Sequence, residues 1–252
     1  MAIKLKKEKK TKSATAELIS TVLWAVGLAF VFRTFIFQPF HIPSGSMQPG
    51  LVKGDYIITS KYTLGYGQFA AVPLPFPVKT GRLLERKPER GDVIVFRPIG
   101  NSKNFIKRLI GLPGDQVQMI NGRLHLNGTR IQTEAIGIES REDRYGNDDE
   151  TTVLSETLKD KNYKIYDDLK NSPEDNTSVF TVPAGHYFFM GDNRDHSADS
   201  RVPTPAGAGY VPAENLMGKA EFVLLSVSND FVLYKPWTWG KMRSERFLKG
   251  IR

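Results

Sequence analysis

Residues 18–32 (LISTVLWAVGLAFVF) carry no charge, Arg33 follows, and residues 34–40 are again uncharged. Counted to Phe37 the stretch is about 20 residues, or about 30 Å as a helix, which matches the hydrocarbon thickness of a bilayer. A helix in a globular core needs no run this long. A cleaved secretory leader would end in a small-x-small site, whereas 37–43 (FQPFHIP) offers only bulky residues and prolines. The stretch therefore predicts an uncleaved membrane anchor, with Arg33 near its far end, where a long side chain can snorkel to the interface.

The net charge of +8 would suggest a nucleic-acid partner if it were spread over the chain, but it is not. Residues 1–12 hold six lysines against Glu8, net +5, and residues 235–252 hold six basic groups against Glu245, also net +5, so the body between them is −2. Basic ends around a near-neutral body point to lipid headgroups and away from a nucleic-acid groove. The positive-inside rule places the leader in the cytoplasm and everything beyond Pro39 across the membrane. The expected division is a basic leader at 1–16, an anchor at 17–38 and an extracytoplasmic domain at 39–252. In the tail, Phe231, Trp237 and Trp239 beside Lys241, Arg243, Arg246, Lys249 and Arg252 have an interfacial pattern, so the tail is expected to rest on the same leaflet. Packing of the tryptophans on the domain body is the alternative.

The domain reads as mainly β. Segments 56–60, 93–96, 105–110, 117–120, 180–182, 187–190, 220–227 and 231–234 are short and rich in β-branched or aromatic residues. Asn121-Gly122 predicts a two-residue hairpin that sets Val117 and Met119 opposite Leu124 and Leu126. Leu112-Pro113-Gly114-Asp115 suits a type II turn. Residues 64–88, rich in Gly and Pro, read as a loop over or beside the membrane. The acid-heavy stretch 134–178, with weak periodicity, reads as an inserted lobe of uncertain order. A chain of 252 residues can bury the core of such a domain, and the absence of cysteine removes disulfides, thiolate chemistry and Cys-ligated zinc.

Residues 40–50 (FHIPSGSMQPG) combine two hydroxyls, a flexible Gly45, stiffening prolines and an apolar Met47 able to pack beneath an outward serine. This is either a nucleophile mount or an ordinary Ser/Gly/Pro turn. If the anchor spans, Ser46 is tethered within about 20 Å of the far membrane surface. Among possible bases, His125 and His186 sit in hairpin and turn settings, and both Gly-x-Ser-x-Gly and Ser-x-x-Lys are absent around Ser46. A deprotonated lysine is the other candidate. Strand alternation puts Lys107 on the apolar side with Phe105 and Leu109, where burial disfavours the ammonium; a lysine snorkelling from a strand edge is the competing reading. Residues 190–201 (MGDNRDHSADSR) follow an apolar strand and read as a self-satisfying network of ion pairs and hydroxyls; as a calcium loop the segment lacks the required glycine and terminal glutamate.

Taken together, SGSMQPGL, IKRLIGLPGD and GDNRDHSADSR, in this order behind an anchor, resemble the bacterial type I signal peptidase (leader peptidase) family. The resemblance covers about residues 30–220. It implies a mostly antiparallel β-sheet Ser/Lys protease domain at 39–252, with Ser46 as nucleophile and Lys107 as general base. Ser44 and the Ser46 N–H would form the oxyanion hole, Ser197 would orient the lysine, and Asp199 with Arg201 would support the site. Phe40, Ile42, Pro43, Phe105 and Ile106 fall where the family lines its side-chain pockets. The implied substrates are secretory preproteins with small residues at the −1 and −3 positions, cleaved on the extracytoplasmic side of the bacterial inner membrane, with possible contact to the export machinery and with no metal, cofactor or nucleic acid. A non-catalytic, membrane-anchored β-rich binding or scaffold module is the other class compatible with the residues. In this chain His196 stands where asparagine is common, and 203–210 is a longer turn than in many members.

Overall fold

The computed structural model describes residues 13–71, 76–78, 80–142, 148–167, 172–228, 231 and 234–251. Most of the lysine-rich leader lies outside them. The one α-helix among the described residues, α1 (Ala14–Phe35), starts at Ser13, whose hydroxyl accepts the N–H of Ala16 at 3.3 Å. Glu17 in the first turn and Arg33 in the last complement the helix dipole. Its apolar side chains are exposed along most of its length, and it is long and apolar enough to cross a membrane. It ends three residues before the expected anchor limit at 38. Pro39 disfavours a helical conformation at Gln38, and Phe37 and Gln38 belong to a strand and not to the helix.

The remainder is β-rich. In chain order the strands are β1 (Phe37–His41), β2 (Asp55–Ser60), β3 (Val93–Phe96), β4 (Phe105–Gly111), β5 (Gln116–Ile120), β6 (Arg123–Leu126), β7 (Thr129–Arg130) and β8 (Gln132–Glu142). They continue with β9 (Asp148–Leu158), β10 (Lys161–Tyr166), β11 (Phe180–Thr181), β12 (His186–Met190), β13 (Val211–Pro212), β14 (Leu216–Ser226) and β15 (Lys249–Gly250). The main antiparallel sheet has the order β1-β2-β14-β3-β4-β12-β13, with β15 on β14. A second sheet runs β11-β5-β6-β7. Its hairpin pairs Val117 with Leu126 and Met119 with Leu124, as the Asn-Gly signal requires, with Asn121 and Gly122 both at positive φ. Gly114 likewise sits at φ 90° in the turn before β5.

The stretch 134–178 departs from the expectation of uncertain order. Most of it is the three-stranded sheet β10-β9-β8, in which every pairing is antiparallel. Val153, Leu154, Leu158, Tyr163 and Ile165 are buried, and the last four join Ile110, Met119, Phe188 and Met190 in one core cluster. Strand alternation hides its apolar residues among acidic neighbours, so a period-2 signal is present but diluted. The centre of the strand expected at 231–234, residues 232–233, lies outside the described residues, and Phe231 and Tyr234 at its ends are not in a strand.

The tail wraps back on the sheet. Arg246 is buried and donates to both carboxylate oxygens of Asp55, at 2.9 and 2.6 Å, while Arg243 donates to the carbonyls of Lys53 and Val227 at 3.1 Å. These two cations therefore hold the tail in place and do not belong to a free basic face. Trp237 and Trp239 are 77% and 50% exposed, so neither is fully buried against the β body.

Candidate active site

β1 and β2 are closed at their far end by Ile42 N–H donating to Asp55 O at 2.8 Å and Gly54 N–H donating to Ile42 O at 2.9 Å. The loop between them folds back because Met47 and Leu51, each 1% exposed, bury with Ile42, Ile57, Val93, Val95 and Val223. An apolar floor thus turns Ser46 upward. Asn193, itself buried, clamps the same loop: its backbone N–H donates to Ser46 O at 3.2 Å and its Nδ2 to Gly45 O at 3.1 Å. Ser44 is exposed, Ser46 is half-buried, and their hydroxyls lie 3.4 Å apart.

Lys107 arrives from β4, where it pairs in register with Ile94 of β3. It is 4% exposed and its Nζ donates to Ser46 Oγ. Burial pulls the lysine down from 10.5 to about 8, opposed by the charges of Asp199 and Asp192 and assisted by Arg201. Asp199, fully buried, accepts from Arg201 Nε and Nη2 at 2.9 Å, from the Arg201 N–H at 3.1 Å and from the Gly191 N–H at 2.9 Å. Burial works to raise this carboxyl, and Arg201 outweighs it, so Asp199 titrates below its ordinary value and remains an anion. Its charge is largely engaged by Arg201, which lets desolvation dominate at the lysine.

The other expected site residues fall into two groups. Phe40 and Ile106 pack against the Ile42 and Met47 cluster, with Pro43 exposed beside them. Phe105 packs instead with Leu109, Leu64 and Phe96 in a different cluster, on the Lys107 side of β4. Ser197 is buried against Gly191, and its Oγ has no hydrogen-bond partner among the described residues, Lys107 included.

The 190–201 loop is satisfied only partly from within. Asp192 accepts from Arg108 Nε and Nη2 of β4 at 2.7 and 2.6 Å, and Arg194 pairs with Glu156 of β9. Sequence reasoning missed Arg108, Asn193 and Glu156. Arg108 could have been suspected, since it points from the opposite face of the Lys107 strand. Glu156 carried no signal in an acid-rich segment. His125 and His186 each place Nδ1 on a nearby backbone carbonyl at 3.0 Å. The carboxylates of Asp167, Asp175 and Asp195 gather within 4.8 Å of one another, but Arg123 pairs with Asp167 at 2.5 Å and the Ser172 N–H donates to Asp175 at 2.9 Å. The protein itself thus supplies cationic and N–H partners to that cluster.

The family described as signal peptidase, peptidase S26, matches residues 15–225. Signal peptidase I of Rickettsia typhi is 37% identical over 260 residues, covering 96% of both chains. This chain belongs to the signal peptidase I family. Signal peptidase I of Rickettsia massiliae is 39% identical over 249 residues, with 92% of this chain and 91% of the relative covered. A solved signal peptidase I from Enterococcus faecalis aligns at 28% identity over 53% of this chain and 97% of its own, with a TM-score of 0.31.

For this peptidase of the signal peptidase I family, Gly191 is the tightest point of the site. A Cβ there would lie 2.2 Å from Ser197 Oγ and 2.5 Å from the backbone oxygen of Ser46. A serine side chain can yield, but a backbone carbonyl clamped by Asn193 cannot do so cheaply. Gly191→Ala should displace the Ser46 loop and lower kcat/KM by about 100-fold, with a modest fall in melting temperature. Activity within threefold of wild type would show that the loop has more freedom than these contacts allow.

Proposed function

We propose that the chain is a membrane-anchored serine endopeptidase that removes N-terminal signal peptides from exported preproteins at small-x-small sites. The observation that carries this reading is the Lys107 amine donating to Ser46 Oγ from a setting that disfavours its charge. The neutral amine takes the hydroxyl proton as Ser46 Oγ attacks the scissile carbonyl carbon. The resulting oxyanion faces the Ser46 N–H and the Ser44 hydroxyl. Collapse breaks the C–N bond, Lys107 returns its proton to the leaving amine, and the mature protein departs. Water deprotonated by Lys107 then hydrolyses the ester on Ser46 and releases the signal peptide. Asp199 and Arg201 brace the site, and Ser197 orients the amine as substrate displaces solvent. Phe40, Ile42, Pro43 and Ile106 line shallow pockets, with Phe105 at their margin, that reject bulky −1 and −3 side chains by overlap.

The domain division follows the same reading, with the insertion carried by the 39–252 protease domain. α1 spans the bacterial inner membrane with the leader in the cytoplasm and the catalytic domain outside, close to lipid headgroups and to the export machinery. A preprotein with an Ala-x-Ala site, incubated with the detergent-solubilised full chain, should be cut after the second alanine. Because the reactive lysine is the deprotonated one, kcat/KM should climb by about tenfold from pH 7 and level off above about pH 8 to 9, as the amine loses its proton. Cleavage by Ser46→Ala, or a rate indifferent to pH between 6 and 10, would remove the proposed chemistry, and no cleavage by the wild type would favour a binding module.

A further inference from the structure

The exit of α1 is not a flexible linker. The Phe35 ring meets Tyr66 edge-on at 5.4 Å and 71°, and Phe76 at 6.3 Å and 66°. Tyr66 and Phe76 lie 6.4 Å apart, completing a three-ring contact. Phe37 joins from the first strand, with Phe32 of the helix at 5.8 Å and Tyr62 at 5.9 Å. Hydrogen bonds close the same joint: Tyr66 Oη donates to Phe35 O at 2.9 Å, and the Lys61 N–H donates to Ile36 O at 3.0 Å. Thr34 and Lys61 are buried within it, and the Lys61 amine donates to Ala70 O.

This collar is in turn fastened to the sheet that holds the site. Tyr66 and Leu83 exchange both backbone hydrogen bonds at 2.9 Å. Arg82, from the same short ribbon, donates to the carbonyls of Leu64 and Gly65 on one side, at 3.0 and 2.6 Å, and of Ala213 and Leu216 on the other, at 3.0 and 2.6 Å. Leu216 begins β14, which pairs with β3, which pairs with the Lys107 strand. On the other branch, Phe37 begins β1, and the Ser46 loop follows β1 directly. Both reacting groups are thus connected to the helix end through paired strands and buried contacts.

We propose that the aromatic collar of Phe35, Phe37, Tyr62, Tyr66 and Phe76 acts as a ruler: it locks α1 to the catalytic sheet, so that Ser46 stands at a set height above the membrane. The site then selects among acceptable sequences by their distance from the apolar part of the signal peptide. These are positioning residues; none of them touches the reacting atoms. The inference rests on the signal-peptide reading given above. A flexible joint would let the same pockets sample a range of heights, and sequences further along the exported chain would be cut as well.

The test uses the full chain in liposomes and a precursor with two identical Ala-x-Ala sites six residues apart, about 20 Å when extended. A short soluble peptide with one site serves as the second substrate. Wild type should strongly favour one of the tandem sites. In Tyr66→Ala/Phe76→Ala that preference should fall by about tenfold, because small changes of reach alter positioning strongly, while kcat/KM on the soluble peptide stays within twofold. Tyr66→Phe, which removes only the hydroxyl bond to Phe35 O, should lie between. An unchanged site preference in the double variant overturns the ruler. Loss of soluble-peptide cleavage in both variants overturns it too, since the collar would then merely support the fold. If wild type cuts neither substrate, the signal-peptide reading itself falls, which is a distinct outcome.

Discussion

Lys107→Met should leave a folded protein whose kcat/KM on a signal-peptide precursor is down by about 10⁴-fold or more. Methionine fills nearly the same volume on the Phe105 and Leu109 side of β4, and it removes an amine whose charged form burial already penalises. Its melting temperature should therefore equal or exceed that of wild type, and Asp199 keeps its partner in Arg201. Lys107→Arg should be as inactive, because a guanidinium does not give up its proton. Ser46→Ala should match both, and the Ser46→Ala/Lys107→Met double variant should be scarcely worse than either single one, since the two groups act as a unit. Residual activity within tenfold of wild type in Lys107→Met, with the fold intact, would mean that some other group accepts the serine proton.

Breaking the Arg194 and Glu156 pair should have the largest effect on stability. The guanidinium contacts the carboxylate through two bonds, 2.9 and 2.5 Å, with the ends 3% and 1% exposed, and Tyr163 Oη adds a third bond at 2.6 Å. Burial raises the Glu156 carboxyl, but Arg194 outweighs it and holds the group below its ordinary value. Removing either partner leaves an uncompensated buried charge, at a cost of about 3–5 kcal/mol. For a chain of this size each kcal/mol is worth about 2–4 °C, so Arg194→Met and Glu156→Met should each melt at least about 6 °C below wild type. The double Met variant should recover part of that loss. It does not recover all, because the Tyr163 hydroxyl then loses its carboxylate, a further penalty of about 1–3 kcal/mol. Activity should fall with stability in the single variants: Arg194 O accepts Arg201 Nη2 at 2.5 Å, and the Tyr166 N–H donates to Asp192 O at 2.9 Å, so the inserted sheet braces the loop around Lys107. Melting within 2 °C of wild type for both single changes would be incompatible with a dry, fully paired ion pair.

These two expectations differ in how far they could be foreseen from the chain. Ser46 and Lys107 could be singled out because each lies in a short stretch with its own constraint: hydroxyls on a stiffened Gly/Pro loop, and a cation on the apolar side of a strand. The Val117 and Met119 hairpin and the turn at Gly114 were legible for the same reason, since backbone sterics at Asn-Gly and Pro-Gly act over four residues. Glu156 was not legible. Its partner lies 38 positions away, and an acidic residue in an acidic segment looks solvated until the fold buries it.

The local sequence alone determined the long apolar helix, the short strands and the tight turns, because propensity, charge absence and turn sterics act between near neighbours. Only the tertiary structure decided that β14 inserts between β2 and β3, that Phe35 is gripped by Tyr66 and Phe76, and that the acidic stretch is a braced sheet. It also decided that the Lys107 amine loses its water. Desolvation and ion pairing depend on which distant segments close over a group, and no window of the chain encodes that closure by itself.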